Sequence, residues 1–483
     1  MKARLLEIAL DKENRKWWTL LAVSFGLFMI MLDNTVVNVA LPSIAKSFNV
    51  KQSELEWVVV GYALSFATFM LSGGKLADRY GRRLLFIVGL VIFVGASLAC
   101  GLATDINFLI GARIVQGVGA AIMNPATLSI LTATFPREQR GMAIGIWAGV
   151  SAMALAIGPL VGGALTEYVH WSWIFFINVP VGVIGILVTR WAVDESRDTS
   201  QQQRLDVPGL ATSGIGLFAL TYALIEANNY GWASGRILVL FAVAVAFLVA
   251  FVVLEQRQRL PMLDLSLFRN RTYAGANVAM LLVTLAMFGI FFFNSLFIQN
   301  ILRYSPVQTG AIFLPMTVLI ILVAPQAGRL SDRIGSRWLI GTGLSFVTLS
   351  LVLFAQLNQD STFWDILPGL LTGGFGMALT MTPTTAAAMG SVAVDKAGVG
   401  SAVLNAFRQV GGSLGIAIMG AVVASQVHVP PNPLDPVYVR QFTDGYHLGL
   451  YVAAAIAFSG ALVATVTIRK VRHLDPAEAA VAA

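Results

Sequence analysis

The chain reads as an all-α protein threaded many times through a membrane, and three observations predict it. Of 483 residues, 57% are hydrophobic and 12% charged, against about 25% charged in soluble domains. The charges are bunched, and the uncharged stretches between them reach the roughly 18 to 20 residues needed to cross hydrocarbon. Those stretches are apolar all round, whereas barrel strands alternate polar and apolar residues.

Taken in order, the predicted spans are 17–41, 53–73, 84–104, 106–130, 138–163 and 171–191, a six-helix bundle over 17–191. Each follows a charged or turn-forming break. The segment 192–271 carries two more spans, 208–226 and 236–254, between the charged links 192–207 and 255–271. A second six-helix bundle over 272–468 comprises 272–299, 308–328, 338–356, 363–385, 398–425 and 447–468. The loop 426–446 contains Pro430, Pro431, Pro433 and Pro436, and residues 1–16 and 469–483 are the polar ends. A cleavable leader is not expected, because the first apolar run follows sixteen mixed residues and is too long. The single Cys100 excludes an intrachain disulfide.

The net charge of +7 is a topology signal rather than a nucleic-acid signal. Alternate loops and both ends hold 25 of the 32 Lys and Arg residues, the opposite loops hold five, and Arg113 and Arg408 lie within spans. The cation-rich side marks the cytoplasm, so both termini are expected inside a bacterial cytoplasmic membrane.

One internal echo organises the chain. Gly74-Lys-Leu-Ala-Asp78-Arg79-Tyr-Gly81-Arg82-Arg83 follows the second span, and Gly328-Arg-Leu-Ser-Asp332-Arg333-Ile-Gly335-Ser-Arg337 follows the tenth. Gly, Leu, Asp, Arg, Gly and Arg coincide without gaps. Two related halves in parallel orientation follow, of the kind that rock against each other, with two helices inserted between them.

Asp33 stands alone among apolar residues of the first span. It falls about 6 Å from the span's midpoint, inside hydrocarbon about 15 Å deep on each side. An ionised carboxylate there costs about 3 kcal/mol, so it is expected to face an internal cavity and to bind a proton. Arg113 is about one-third of the way into the fourth span and needs a partner or a wet cavity. Gly158-Pro159 with Gly162 and Gly163 kinks its helix and admits close approach by another. In loop 74–83, Gly74 and Gly81 permit a tight turn, while Asp78 is suited to accept from a helix N-terminus and to pair with Arg; with Arg79 and Arg82 it forms a latch candidate, repeated at Asp332 and Arg333. No phosphate-binding loop or metal-ligand spacing is present, and His170, His428, His447 and His473 are scattered. An ion gradient is then the energy source.

These segments resemble the major facilitator superfamily, and within it the fourteen-helix drug:proton antiporters. Loop 74–83 is similar to the family's signature loop and lies after span two, as there. Leu32-Asp33-Asn34-Thr35-Val36-Val37-Asn38-Val39-Ala40-Leu41-Pro42 resembles the first-span motif. Arg113-Ile-Val-Gln116-Gly117-Val-Gly119 resembles the fourth-span motif linked to proton coupling, and Ala156-Ile-Gly158-Pro159-Leu-Val-Gly162-Gly163 the fifth-span antiporter motif. The resemblance implies gating by the loop, tuning of protonation by Arg113 beside Asp33, and sealing of the resting cavity by the Gly-Pro segment.

Candidates for the substrate path are Asn34, Asn38, Trp57, Tyr62, Gln116, Phe292, Asn294, Gln299, Asn405 and Arg408, since aromatic faces with sparse amides suit lipophilic or cationic ligands. Glu226, at the end of span seven, is a further acid that either sits at the interface or carries protons. Relatives that expel dications have extra acids in mid-span; here every acid but Asp33 falls near a span end or in a loop, which points to one titrating carboxyl and one proton per cycle. The expectation is a monomeric, proton-driven exporter of amphipathic drugs, dyes or natural products, using no cofactor besides the proton, binding no nucleic acid and no metal, and catalysing no reaction. The alternatives are an exporter or flippase of one endogenous lipid or metabolite, and a non-transporting membrane sensor.

Overall fold

The structure, a computed structural model, describes residues 12–197, 206–258, 261, 263–392, 397–429 and 434–469. The first half contains α1 (Lys12–Phe48), α2 (Gln52–Tyr80), α3 (Arg82–Gly101), α4 (Ile106–Thr134), α5 (Arg137–Tyr168), α6 (Trp173–Phe176) and α7 (Asn178–Ala192). The inserted hairpin is α8 (Val207–Tyr230) and α9 (Gly235–Arg257). A 3-10 turn at Leu265–Arg269 leads into the second half: α10 (Arg271–Asn300), α11 (Pro306–Ile312), α12 (Leu314–Ile334), α13 (Ser336–Phe354), α14 (Phe363–Gly390), α15 (Ala397–Ala424) and α16 (Pro436–Thr467).

Polar side chains start several helices. Asp105 accepts from the Phe108 amide at α4, Asp206 from Gly209 at α8, Asn270 from Thr272 at α10 and Asp435 from Val437 at α16, each satisfying an amide that the helix itself leaves open. Pro315 sits in the first turn of α12, where it lacks the N–H a continuous helix would need, and α11 and α12 form one broken rod.

The sequence echo is structural. Gly81 joins α2 to α3 and Gly335 joins α12 to α13, both at positive φ (125° and 90°), a conformation that favours glycine. Eleven segments among the described residues are long and apolar enough to cross a membrane. The fourteen spans expected from sequence are matched by rods when α6 with α7 and α11 with α12 are each joined, but α2, α5 and α14 are not among the eleven.

The halves meet at one end. Val36, Val37, Ile44 and Val58 of the first half share an apolar core with Phe297, Ile298 and Ile416 of the second. Ser295 donates to the Asn38 carbonyl at 2.8 Å, Gln299 to the Val39 carbonyl at 2.9 Å, and the Val307 amide to Glu167 at 2.9 Å. This is the end bearing Phe48 to Lys51, and it is poor in cations. Toward the opposite end the first half has a core of its own, containing Leu27, Phe66, Phe86 and Met123.

Candidate functional site

Five helices of the first half build one buried polar cluster. Asp33 (α1) is 0% exposed and Arg113 (α4) 1%. One guanidinium nitrogen of Arg113, Nη1, lies 2.5 Å from Asp33 Oδ2, and the same nitrogen donates to Gln116 Oε1 at 2.6 Å. The Gln116 amide donates to Asp33 Oδ1 at 3.0 Å and to Ser97 Oγ of α3 at 2.7 Å. Asn178 of α7 donates to the same hydroxyl at 3.1 Å. Arg113 Nε donates to the Val58 carbonyl of α2 at 3.0 Å, and its guanidinium lies 4.2 Å from the centre of the Tyr62 ring.

Both carboxylate oxygens are therefore met by donors, and the cation is held by an ion pair, a carbonyl and an aromatic face. A buried charge persists only with this kind of compensation. Gly117 makes the approach of α2 to α4 possible: a Cβ there would stand 3.2 Å from the Phe66 amide nitrogen. The ion pair is one of several holds on Arg113, so the guanidinium keeps the Gln116, Val58 and Tyr62 contacts independently of it.

The Gly-Pro segment of α5 lies between this cluster and the other half. Gly158 packs on Thr35 and Gly162 on Val36, where a Cβ would sit 3.0 Å from Val36 Cα. On its other side, a Cβ at Gly163 would be 2.9 Å from Val307 Cα, and one at Gly310 would be 3.0 Å from Leu160 Cα. Thus α5 presents glycines to α1 on one side and to α11 on the other, and Thr35, which meets Gly158, is two residues from Asp33.

A second seam of the same end contains an acid that sequence reasoning passed over. Glu56 of α2 is 2% exposed, accepts from Gln52 at 3.0 Å, and lies directly against Gly420 of α15. Glu226 is near enough to act on it through space. Asn229 joins Glu226 (2.7 Å) to Ser53 (3.3 Å), and Asn228 donates to the Ala421 carbonyl at 2.5 Å. Glu226 thus belongs to this seam and not to the Asp33 cluster. Asp33 is the acid in mid-span, as expected, but Glu56, Asp206 and Glu255, at span ends or in a link, are buried as well.

The other sequence candidates divide. Tyr62 and Gln116 belong to the Asp33 cluster. Asn34 donates to the Ile30 carbonyl and Asn38 to that of Asn34, leaving Asn38 Oδ1 buried with no donor among the described residues. Gln299 joins the halves. Phe292 is fully buried, and Asn294 accepts from Tyr446 at 2.7 Å, so these two face the packing of the second half. Trp57 packs on Phe218 and Tyr222 of α8. Asn405 is half-buried and donates to Ser401. Arg408 is half-buried too, and its charge reaches Tyr62 across the boundary between halves. An apolar cleft of about 410 Å³ lies between α2, α4 and α8, lined by Trp57, Leu64, Phe69, Ile114 and Phe218.

In the latch loop, the side chains of Asp78 and Asp332 lie outside the described residues. Arg79 stands 5.0 Å over the Tyr80 ring, Arg82 is half-buried, and Arg333 is exposed. Among the described residues, Glu195 meets the α3 N-terminus, accepting from the Arg83 and Leu84 amides at 3.1 Å each. Sequence gave no sign of it beyond an acid following span six.

The Major Facilitator Superfamily model matches residues 23–416. The chain is 38% identical over 416 residues to the multidrug resistance protein Stp of Mycobacterium tuberculosis (strain ATCC 25618 / H37Rv), covering 86% of this chain and 77% of that one. It is 35% identical over 464 residues to the puromycin resistance protein pur8 of Streptomyces alboniger, covering 94% and 92%. Among solved structures it resembles a bacterial homolog of the human lysosomal transporter Spinster, with TM-score 0.67, 17% identity, and coverage of 95% and 98%. That likeness concerns the fold alone.

Proposed function

The chain belongs to the major facilitator superfamily and is a multi-pass membrane transporter for drug efflux; we propose that protons drive it and that Asp33 is where they bind. The observation that carries the coupling is the sealed Asp33–Arg113 pair, five residues along α1 from Asn38, whose carbonyl accepts from Ser295 of the other half.

The cycle has two end states. In the state described, the cation-poor end is closed by α1, α5, α11 and by α2 with α15. With the cation-rich end cytoplasmic, as the charge distribution indicates, this state faces inward. Rocking the halves parts the Gly163–Pro306 and Glu56–Gly420 contacts and admits external water to Asp33. A proton there cancels the carboxylate and weakens its hold on Arg113, which shifts the balance back toward the closed seam. Release of the proton inside restores the pair.

Drug and proton then use the same first-half surfaces in different states, so binding one disfavours the other by the same factor in both directions. One proton moving inward supplies about 2.3 kcal/mol per 100 mV, enough for roughly a tenfold to hundredfold gradient of a neutral compound. One-for-one exchange with a monocation moves no net charge and is driven by the pH gradient alone. The apolar cleft between α2, α4 and α8 suits the hydrocarbon part of an amphipathic substrate arriving from the bilayer. The test is efflux from everted vesicles with Asp33→Asn: the variant binds drug and loses dependence on the pH gradient. Gradient-driven efflux at the native rate would remove Asp33 from the mechanism.

A further inference from the structure

The inserted hairpin carries a polar junction that the cycle above does not use. Asp206 caps α8, its Oδ1 accepting from the Gly209 amide and from Gln258, both at 2.8 Å. Glu255 lies on the last turn of α9, and its Oε2 accepts from the Leu263 amide at 2.9 Å. The two acids are 4% and 3% exposed. Both turn toward the same point: a Cβ on Gly209 would stand 2.6 Å from Glu255 Oε1 and 2.8 Å from Asp206 Cγ.

Among the described residues no hydrogen-bond donor meets Glu255 Oε1, which is fully buried and faces the Asp206 carboxyl beside Gly209. Two buried carboxylates facing each other repel and have no hydrogen to share, whereas a proton on one of them removes the second charge and supplies that hydrogen. Asp206 Oδ1 already accepts two N–H donors, which suit a carboxylate. The proton therefore belongs on Glu255 Oε1, directed at Asp206.

We propose that Glu255 holds a proton and donates it to Asp206, a proton-binding site separate from Asp33 and joined to the 74–83 loop through Lys75. The join is explicit. Lys75, at the second position of that loop, donates to the carbonyl of Pro261, six residues after Glu255 in the chain, at 2.6 Å. The charged groups acting on Glu255 among the described residues are Asp206 and Lys75. Burial draws the Lys75 ammonium below its ordinary range, and Glu255 and Asp206 oppose that shift. When the proton leaves to water, two carboxylates face each other and Lys75 is drawn from Pro261 toward them. The Lys75–Pro261 contact is then lost, which ties the contact between the 74–83 loop and the hairpin to pH at the cation-rich end.

The experiment is infrared spectroscopy of the purified full chain in lipid, titrated across neutral pH, read at the carbonyl stretch of protonated carboxyls. The native spectrum minus that of Glu255→Gln is expected to contain one such band that disappears as pH rises, and Asp33→Asn is expected to leave that band in place. Asp206→Asn keeps the band but shifts its midpoint to lower pH, because the facing charge is gone. A difference spectrum without the band, or a midpoint unmoved by Asp206→Asn, overturns the assignment. Native protein labelled with 13C-glutamate needs no substitution: the absence of any isotope-shifted protonated-carboxyl band at neutral pH overturns it equally.

Discussion

Arg113 reaches Asp33 with a single nitrogen at 2.5 Å, and that nitrogen also serves Gln116. The pair is thus one member of a network in which Arg113 keeps the Val58 carbonyl and the Tyr62 face whether or not Asp33 is charged. The two partners are unequal as a consequence. Asp33→Asn leaves the cation three remaining holds, while Arg113→Ala leaves a buried carboxylate with only Gln116.

Arg113→Ala is expected to lower stability by about 3 kcal/mol or more, the range for orphaning a buried charge. Asp33→Asn is expected to cost less, and the double variant to recover much of the Arg113→Ala loss. Thermal unfolding of the four proteins in detergent checks this. Additive effects would mean that the two residues do not act as a pair.

Arg113→Lys is not a conservative change here. A lysine ammonium cannot hold Asp33, Gln116 and Val58 at once, nor stack its plane on Tyr62. We expect at least about a tenfold fall in gradient-driven efflux, about 1.4 kcal/mol, with drug binding retained. Transport in everted vesicles beside equilibrium binding separates the two effects.

Gly163→Val and Gly310→Val should keep the halves apart at the cation-poor end, because each added side chain meets backbone of the partner helix. Distances between spin labels on α5 and α11 are expected to lengthen in both variants, and efflux to stop. Native distances with native efflux would show that the seam tolerates bulk.

Much of this was legible in the chain. Asp33 and Arg113 stand out because an ionised group in an apolar span needs a partner, and they prove to be partners. The echo around Gly81 and Gly335 identifies the repeated turn because positive φ favours glycine. Facing was not legible. In a helix that is apolar all round, periodicity does not say which side turns inward, so Gln116 read as a lining residue bonds Asp33, while Phe292 and Asn294 pack inside the second half. Glu56 looked like an acid near a span end, and its burial comes from Gly420, distant in sequence, which lets α15 close over it.

Glu56 leads to a prediction of its own. Closing the seam moves its carboxyl from water to a site beside Glu226, and a charge is costlier to enclose than a neutral group. Glu56→Gln is therefore expected to flatten the dependence of efflux on external pH and Glu56→Lys to slow efflux by about tenfold or more. Initial rates over a series of external pH values check this, and an unchanged profile in Glu56→Gln removes the seam from proton control.

The central claim is that export of drug and uptake of protons are one process through Asp33. The direct measurement is simultaneous recording of internal pH and dye movement in proteoliposomes holding the purified protein, with an outward dye gradient and no initial pH difference. The account predicts protons moving opposite to dye in the native protein, in fixed proportion, and dye movement without proton movement in Asp33→Asn. Dye movement with no proton flux in the native protein, or undiminished counterflow in Asp33→Asn, would contradict it.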